Sequence, residues 1–251
     1  MTLPRTPSFR LDDRRAFVPG GSRGIGLGCA VALADAGAAV TICARGADGV
    51  AEAVVAMEAA GLAASGEALD VTDLGALDAF LERHGPFDIL CNSAGLARHA
   101  PALETTPEDF DAVMGLNLRT AYFLAQRVAR TMEQGGAIIQ ISSQMGHVGG
   151  IDRAVYCASK HGVEGMTKAM AIEWGPRNIR VNTICPTFIR TPLTQPTFDD
   201  PERRAWIEAK IKLPRIAEIA DIMGAVTFLA SDAAAMVTGT SILVDGGWTA
   251  G

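Results

Sequence analysis

Short, almost wholly apolar runs alternate with longer helical patterns along most of this chain, and no other feature narrows its possible folds as far. RRAFV, AAVTICA, AASGEALD, FDILCNS, GAIIQISS, IRVNTIC and TSILVD read as strands. Between them Gly24–Ala36, Ala51–Ala60, Leu74–His84, Phe110–Met132 and Val155–Trp174 read as helices. A crossover helix returns the chain to the same end of the sheet, so successive strands run parallel. AVTIC, AIIQI and SILV carry no polar alternation, as expected of strands covered on both faces. The pattern predicts an α/β fold, a doubly wound parallel sheet with helices on both sides. At 251 residues, with no repeat or linker, the chain fits one such domain. A domain over 9–251, preceded by a flexible tail over 1–8, is expected.

Composition removes several function classes. A net charge of −6 and a pI near 5.2 leave no basic stripe for a phosphate backbone, so no nucleic-acid partner is expected. No apolar run approaches the ~18 residues of a membrane span, and MTLPRTPSFRLDD has no apolar leader core. The expectation is a cytoplasmic protein with no membrane partner. The five cysteines form an odd set without a C-x-x-C pair and read as reduced core residues. The four histidines show neither ligand spacing nor a carboxylate beside them, so no metal site is expected.

The rhythm breaks once. Between Ile184 and Ile216 the chain carries Pro186, Pro192, Pro196, Pro201 and Pro214, with a helical segment at about Glu202–Lys212. Long insertions in compact domains are commonly lids or binding loops. This one follows a strand's C-terminal end, where open α/β sheets take their ligands, and a substrate lid at about 187–215 is expected.

Two constellations carry chemistry. After the first strand, PGGSRGIG supplies Gly20, Gly24 and Gly26 and opens a helix. Glycines permit a tight turn and close approach of a pyrophosphate, while the helix N-terminus presents free N–H groups to it. In the second, Tyr156 and Lys160 stand one helical turn apart, and Ser143 ends a strand thirteen residues earlier. Hydride transfer to a carbonyl builds an alkoxide that needs a proton donor within hydrogen-bond reach. A phenol, ordinarily at a pKa of about 10, suits neutral pH better with a cation beside it.

With these residues in this order, the chain resembles the short-chain dehydrogenase/reductase family from Phe9 to Trp248. The resemblance implies a Rossmann sheet in strand order 3-2-1-4-5-6-7, an NAD(P)-dependent oxidoreductase acting on a CH–OH group, and a homotetramer. It assigns the dinucleotide to the turn residues Gly20, Ser22, Arg23, Gly24, Ile25 and Gly26. It adds Asp70 and Val71 at the adenine, and Asn92, Ala94 and Gly95 after the fourth strand. Pro186, Ile189 and Thr191 stand on the nicotinamide side, with Tyr156 and Lys160, the latter also bonding the ribose. Ser143, Tyr156, Lys160 and Asn117 match the catalytic set, Asn117 through a water leading from Lys160 to solvent. Asn117's other reading is a side chain bonded to its own helix.

Three positions depart from the family. Pro19 replaces a Thr and removes a strand N–H; Ser93 replaces a second Asn; Thr187 stands where a Gly commonly follows the Pro. Candidates for the substrate pocket are Gln144, Met145, His147, Val148, Phe188 and Trp206. The end of the second strand predicts NADP(H) over NAD(H). Ala44 lacks the acid that accepts both ribose hydroxyls, and Arg45, with Arg23 near it, offers a fork suited to a 2′-phosphate. The substrate is expected to be a small sugar acid, polyol or 3-oxoacyl compound. Alternatives are a dinucleotide sensor without turnover, an NAD(H)-linked dehydrogenase, and a nucleotide-sugar epimerase or dehydratase, which would need a longer C-terminal region.

Overall fold

The computed structural model describes residues 1–251. Seven parallel strands form one sheet in the expected order β3-β2-β1-β4-β5-β6-β7. They are β1 Arg15–Pro19, β2 Ala39–Ala44, β3 Ala64–Ala68, β4 Ile89–Asn92, β5 Gly136–Ile141, β6 Ile179–Pro186 and β7 Ser241–Val244. Three helices, α1 Gly24–Asp35, α2 Ala47–Ala59 and α3 Leu74–His84, follow the first three strands; α4 Pro107–Met114, α5 Ala121–Thr131 and α6 Ala154–Trp174 lie further on. Residues 187–215, expected as a lid, hold α7 Gln195–Asp199 and α8 Pro201–Lys210, and α9 Ala220–Ala230 precedes β7.

Alternation along the strands sorts side chains into two cores. Ala16, Val18, Ile42, Ile89 and Ile139 face α1, α2 and α9. Phe17, Cys43, Leu90, Ile138 and Val181 face α3, α5 and α6. Phe17 anchors the second core, its ring 4.9 Å from Phe80 and 5.2 Å from Phe87 between centroids. With both faces covered, the parallel sheet leaves one open edge for chemistry, the ends where the strands run out.

The expected helix Phe110–Met132 is three pieces. Between α4 and α5 the residues Gly115–Thr120 form a π-helical turn. Such a turn hardly disturbs apolar periodicity, so the sequence pattern runs through it, yet it re-aims one side chain, here Asn117. Residues 187–215 likewise differ from the expected single helix, holding two. Asp200 caps α8 with its Oδ1, accepting from Glu202 N at 3.0 Å and Arg203 N at 3.2 Å, and Pro201 begins the helix. The helix stops at Lys210 because Lys212 N and Leu213 N turn to the carbonyl of Gly246 at 2.8 and 3.2 Å. Residues 1–10 are exposed without regular structure, and Leu11 is the first buried residue. No helix is long and apolar enough to cross a membrane.

The turn from β1 into α1 depends on glycine. Gly24 has φ +56°, and a Cβ on Gly26 would overlap the carbonyl oxygen of Gly20. Gly26→Ala should therefore lose about 1–3 kcal/mol of stability, the ordinary cost of overpacking. Gly165→Ala, on the exposed side of α6 with open space around it, should gain about 0.5–1 kcal/mol. Denaturant unfolding of both variants checks the pair, and an equal response would refute the packing account of the turn.

Candidate active site

The residues expected to hold the dinucleotide assemble at the strand ends. Gly20, at φ +77°, keeps the turn on the sheet by donating its N–H to Cys43 O at 2.8 Å. Arg23 precedes α1 in extended conformation with no side-chain cap, and the first turn of α1 contains no acid. The helix thus presents unfilled N–H groups above a turn too tight for a Cβ, which suits a pyrophosphate. Ser22 is half-buried in that turn, Ile25 packs on the first core, and Arg23 and Arg45 are exposed. Asp70 accepts from Thr72 N at 2.9 Å and Thr72 Oγ1 at 2.7 Å, bonds that hold its carboxyl below the usual range with help from Arg45. Val71 beside it is buried.

After β4, Asn92 donates to Gln140 Oε1 at 2.8 Å and accepts from Ala94 N at 3.1 Å, fixing the turn that leads to Gly95. The neighbouring departures are accommodated there. The Pro19 carbonyl accepts from Ser93 N at 3.0 Å, a bond that needs neither the missing N–H nor the replaced amide. Thr187 is different: its N–H reaches Val244 O at 3.2 Å, but its hydroxyl is buried without a partner. Pro186 ends β6. Ile189 is buried, with its carbonyl accepting Thr194 Oγ1 at 2.6 Å, and a Cβ on Gly24 would touch Thr191 Cγ2 at 3.9 Å. Thr191 therefore faces the glycine turn from across the cleft.

The residues expected to carry acid/base chemistry converge on the end of β5. Ser143 is extended at φ −165°, ψ 156°; its Oγ accepts from Met145 N at 3.1 Å and donates to Gln144 Oε1 at 2.8 Å. Lys160 is buried on α6, and its Nζ donates to Ile141 O at 2.9 Å and lies 5.7 Å from the Tyr156 ring centroid. Burial lowers its pKa to about 8, against the pull of Cys185 and Glu164. Burial raises the Tyr156 phenol above its ordinary value, while the Ser143 hydroxyl and the Arg153 charge act the other way. Asn117 bonds partners outside its own helix. Its Oδ1 accepts from Leu96 N at 2.8 Å, and its Nδ2 donates to Leu96 O at 2.8 Å and Ser159 Oγ at 3.2 Å. The π turn thus ties the loop after β4 to α6.

Phe188, Val148 and Tyr156 pack against a small apolar cluster that contains Met145, Phe198 and Trp248. Phe188 stacks on Trp248 at 5.8 Å and meets Trp206 edge-on at 6.4 Å. Gln144 is buried beside Ser143. His147 turns its ring away toward a polar group: Nε2 lies 3.4 Å from Cys185 Sγ and 3.6 Å from Glu164 Oε2. Glu164 also accepts from Thr183 Oγ1 at 3.0 Å, from the Ser241 hydroxyl and from the Cys185 thiol at 3.3 Å. Burial and that carboxylate push Cys185 up to about 12.

The expectation that no carboxylate adjoins a histidine is therefore corrected. Glu164 adjoins His147, and Glu67 adjoins His84 at 3.1 Å. Both pairs are seventeen residues apart in sequence and meet only through the sheet. The expectations also passed over Arg153 and His99. His99 packs edge-on to Tyr156 at 5.8 Å, and Arg153 lies three residues before Tyr156 at the start of α6, a spacing that was legible.

Comparison with known proteins agrees with this geometry. A family model described as enoyl-(acyl carrier protein) reductase matches residues 20–249. D-threitol dehydrogenase of Mycolicibacterium smegmatis is 42% identical over 248 residues, covering 96% of this chain and 95% of the relative. Gluconate 5-dehydrogenase of Gluconobacter oxydans is 38% identical, with 96% of each chain covered. The crystal structure of a gluconate 5-dehydrogenase from Burkholderia cenocepacia in complex with NADP and tartrate superposes with a TM-score of 0.92 at 36% identity, over 97% of this chain and 98% of that one. Likeness that runs nearly end to end, in sequence and in the course of the sheet, places this chain in the short-chain dehydrogenase/reductase family as an oxidoreductase of alcohol groups.

Proposed function

We propose that the enzyme moves a hydride between NADP(H) and a small sugar-derived carbonyl or secondary alcohol, with Tyr156 moving the proton. The observation that carries this reading is the half-buried Tyr156 held against the buried Lys160 and Ser143, at the sheet edge that also holds the uncapped α1. Relatives named for threitol and gluconate support the substrate size. The nicotinamide supplies or accepts the hydride when bound. In reduction the carbonyl oxygen accepts a bond from Ser143 Oγ, which exchanges its present acceptor Gln144 for the substrate. As negative charge builds on that oxygen, the Tyr156 hydroxyl gives it a proton and the alcohol results. Oxidation runs the same steps backward, with the phenolate as base. Lys160, as an ammonium, favours the phenolate and bonds the ribose. Asn117 holds Leu96 and Ser159 in place around it, at the start of a water path to solvent.

The preference for NADP(H) rests on Ala44 and Arg45 at the end of β2. Relatives crystallised with NADP support the same choice. Residues 187–215, with α7 and α8, serve as the lid. The homotetramer belongs to this reading too, with Phe110 and Tyr122 on α4 and α5 exposing apolar surface suited to packing between subunits. A sensor without turnover would have no use for a phenol and a buried ammonium side by side.

Tyr156→Phe should lower kcat by a thousandfold or more, about 4 kcal/mol of barrier, while the dissociation constant for NADP(H) stays near wild type. A variant keeping more than a tenth of kcat refutes the proton role. Arg45→Ala should cut kcat/KM for NADP(H) by tens to a hundredfold, the worth of about 1.5–3 kcal/mol in a charged hydrogen bond, and Ala44→Asp with Arg45→Ala should invert the preference. Steady-state kinetics with both dinucleotides decide this, and a wild type that favours NAD(H) overturns it. The Lys160 value also fixes a pH limb. Its folded pKa is depressed to about 8, so the free enzyme loses the ammonium as pH rises through that value. kcat/KM for the dinucleotide should therefore decline above about pH 8, and a profile flat to about pH 10, the range of an ordinary lysine, would contradict the role given to its charge.

A further inference from the structure

We propose that Arg153 receives a carboxylate of the substrate, which makes the enzyme's preferred substrate a polyhydroxy acid and not a neutral polyol. The inference builds on the proposed proton role of Tyr156 only for where the reacting carbon sits. Arg153 ends the loop before α6 and turns its side chain toward the pocket, with the guanidinium carbon 5.5 Å from the Phe188 ring centroid. Its methylenes lie against Gly150, where a Cβ would meet Cδ at 3.1 Å. The head group spends one bond, from Nη1 to Ile151 O at 3.0 Å. Its charge is felt at both Tyr156 and His99, which pack edge to face. The guanidinium thus makes no ion pair, feels carboxylate charge only from the neighbouring Asp152, and stands within electrostatic reach of the proton donor.

Several arginines in this chain have carboxylate partners, as Arg98 holds Asp109, Arg127 holds Asp78 and Arg215 holds Asp221, and the partly buried Arg180 instead spends its donors on the carbonyls of Val237 and Ser231. Arg153 is half-buried and forms no ion pair; the adjacent Asp152 is exposed, its backbone left-handed at φ 59°. Partial burial of a charge is unfavourable unless a partner compensates it, and desolvation here already works against the charged form. A second guanidinium adds to the field: Arg203, on the lid helix α8, is near enough to lower the Arg153 pKa and is itself held only by its own cap, Asp200, at 3.4 Å.

On a chain of net charge −6, this basic pocket mouth is a local exception. A planar guanidinium fork matches a carboxylate through two parallel N–H bonds. The stacked Phe188 and Trp248 rings beside it offer an apolar wall for the C–H faces of a short polyol chain. A neutral polyol would leave Arg153 as it stands, with one hydrogen bond and no ion pair.

The test is a matched substrate set oxidised with NADP⁺: sorbitol, gluconate and sorbitol 6-phosphate, on wild type, Arg153→Lys and Arg153→Ala. Wild type should favour gluconate over sorbitol by at least about thirtyfold in kcat/KM, the range of one charge-assisted pair. Arg153→Ala should erase that preference through KM, bringing the gluconate-to-sorbitol ratio of kcat/KM to within about threefold of one, and an unchanged dissociation constant for NADP⁺ reports its correct folding. Arg153→Lys should fall between, since an ammonium keeps the charge but not the fork. Calorimetric titration of tartrate into the NADP⁺-loaded enzyme reads the site without turnover, and its affinity should drop at least tenfold in Arg153→Ala. Preference for sorbitol, loss of both substrates alike, or unchanged tartrate affinity overturns the proposal; preference for the phosphate replaces the carboxylate with another anion and overturns it as stated. If no substrate turns over at all, the proton role of Tyr156 falls while the tartrate titration still decides for or against Arg153.

Discussion

Lys160 reaches through the packed side of α6 to a single carbonyl, Ile141 O, at 2.9 Å, and most of the site is organised around keeping it there. One neutral acceptor does not offset the desolvation of an ammonium, and the lowered pKa of about 8 is the residue of that imbalance. What support the charge has comes from behind. Glu164, one turn further along α6, is locked by Thr183, Ser241, Cys185 and His147, so β6, β7 and the turn after Ser143 all brace the same carboxylate. On the other side, the loop after β4 is fastened to α6 by Asn117. The lysine is therefore fixed by the sheet edge as a whole, and Tyr156, one turn before it, is fixed with it.

That arrangement separates two tasks. Burial keeps the phenol of Tyr156 protonated in the free enzyme, as the proposed proton donor requires, while the Ser143 hydroxyl and the Arg153 charge limit how far its pKa rises. The apolar cluster of Met145, Phe198, Ile207 and Trp248 binds α7 and α8 to the body. The residues proposed for proton transfer are thus carried on rigid elements, and those proposed to meet the substrate lie on 187–215 and just before α6.

Much of this was legible in the sequence because it depends on local pattern. Doubly buried strands announce themselves as continuous apolar runs, the glycine turn must be glycine where a Cβ would overlap Gly20, and Tyr156 and Lys160 share a face by helical spacing. What escaped depends on pairs distant in sequence. The partners of His147 lie seventeen and thirty-eight residues away and meet only when β6 closes on α6. The π turn at Gly115–Thr120 was hidden because it leaves apolar periodicity nearly continuous. Arg153 escaped for another reason: a surface arginine beside an aspartate reads as solvated until the fold shows that it has no ion-pair partner.

The account turns on the ionisation of Tyr156, and the chain makes that directly observable, since it holds only two tyrosines, Tyr122 and Tyr156. Ultraviolet difference titration of Tyr122→Phe, with the double Tyr122→Phe, Tyr156→Phe variant as blank, isolates one phenol. In the enzyme free of dinucleotide, Tyr156 should ionise above the ordinary phenol value of about 10, as its burial dictates. A phenolate already formed at neutral pH in the free enzyme would contradict the claim that burial holds the proton there for transfer.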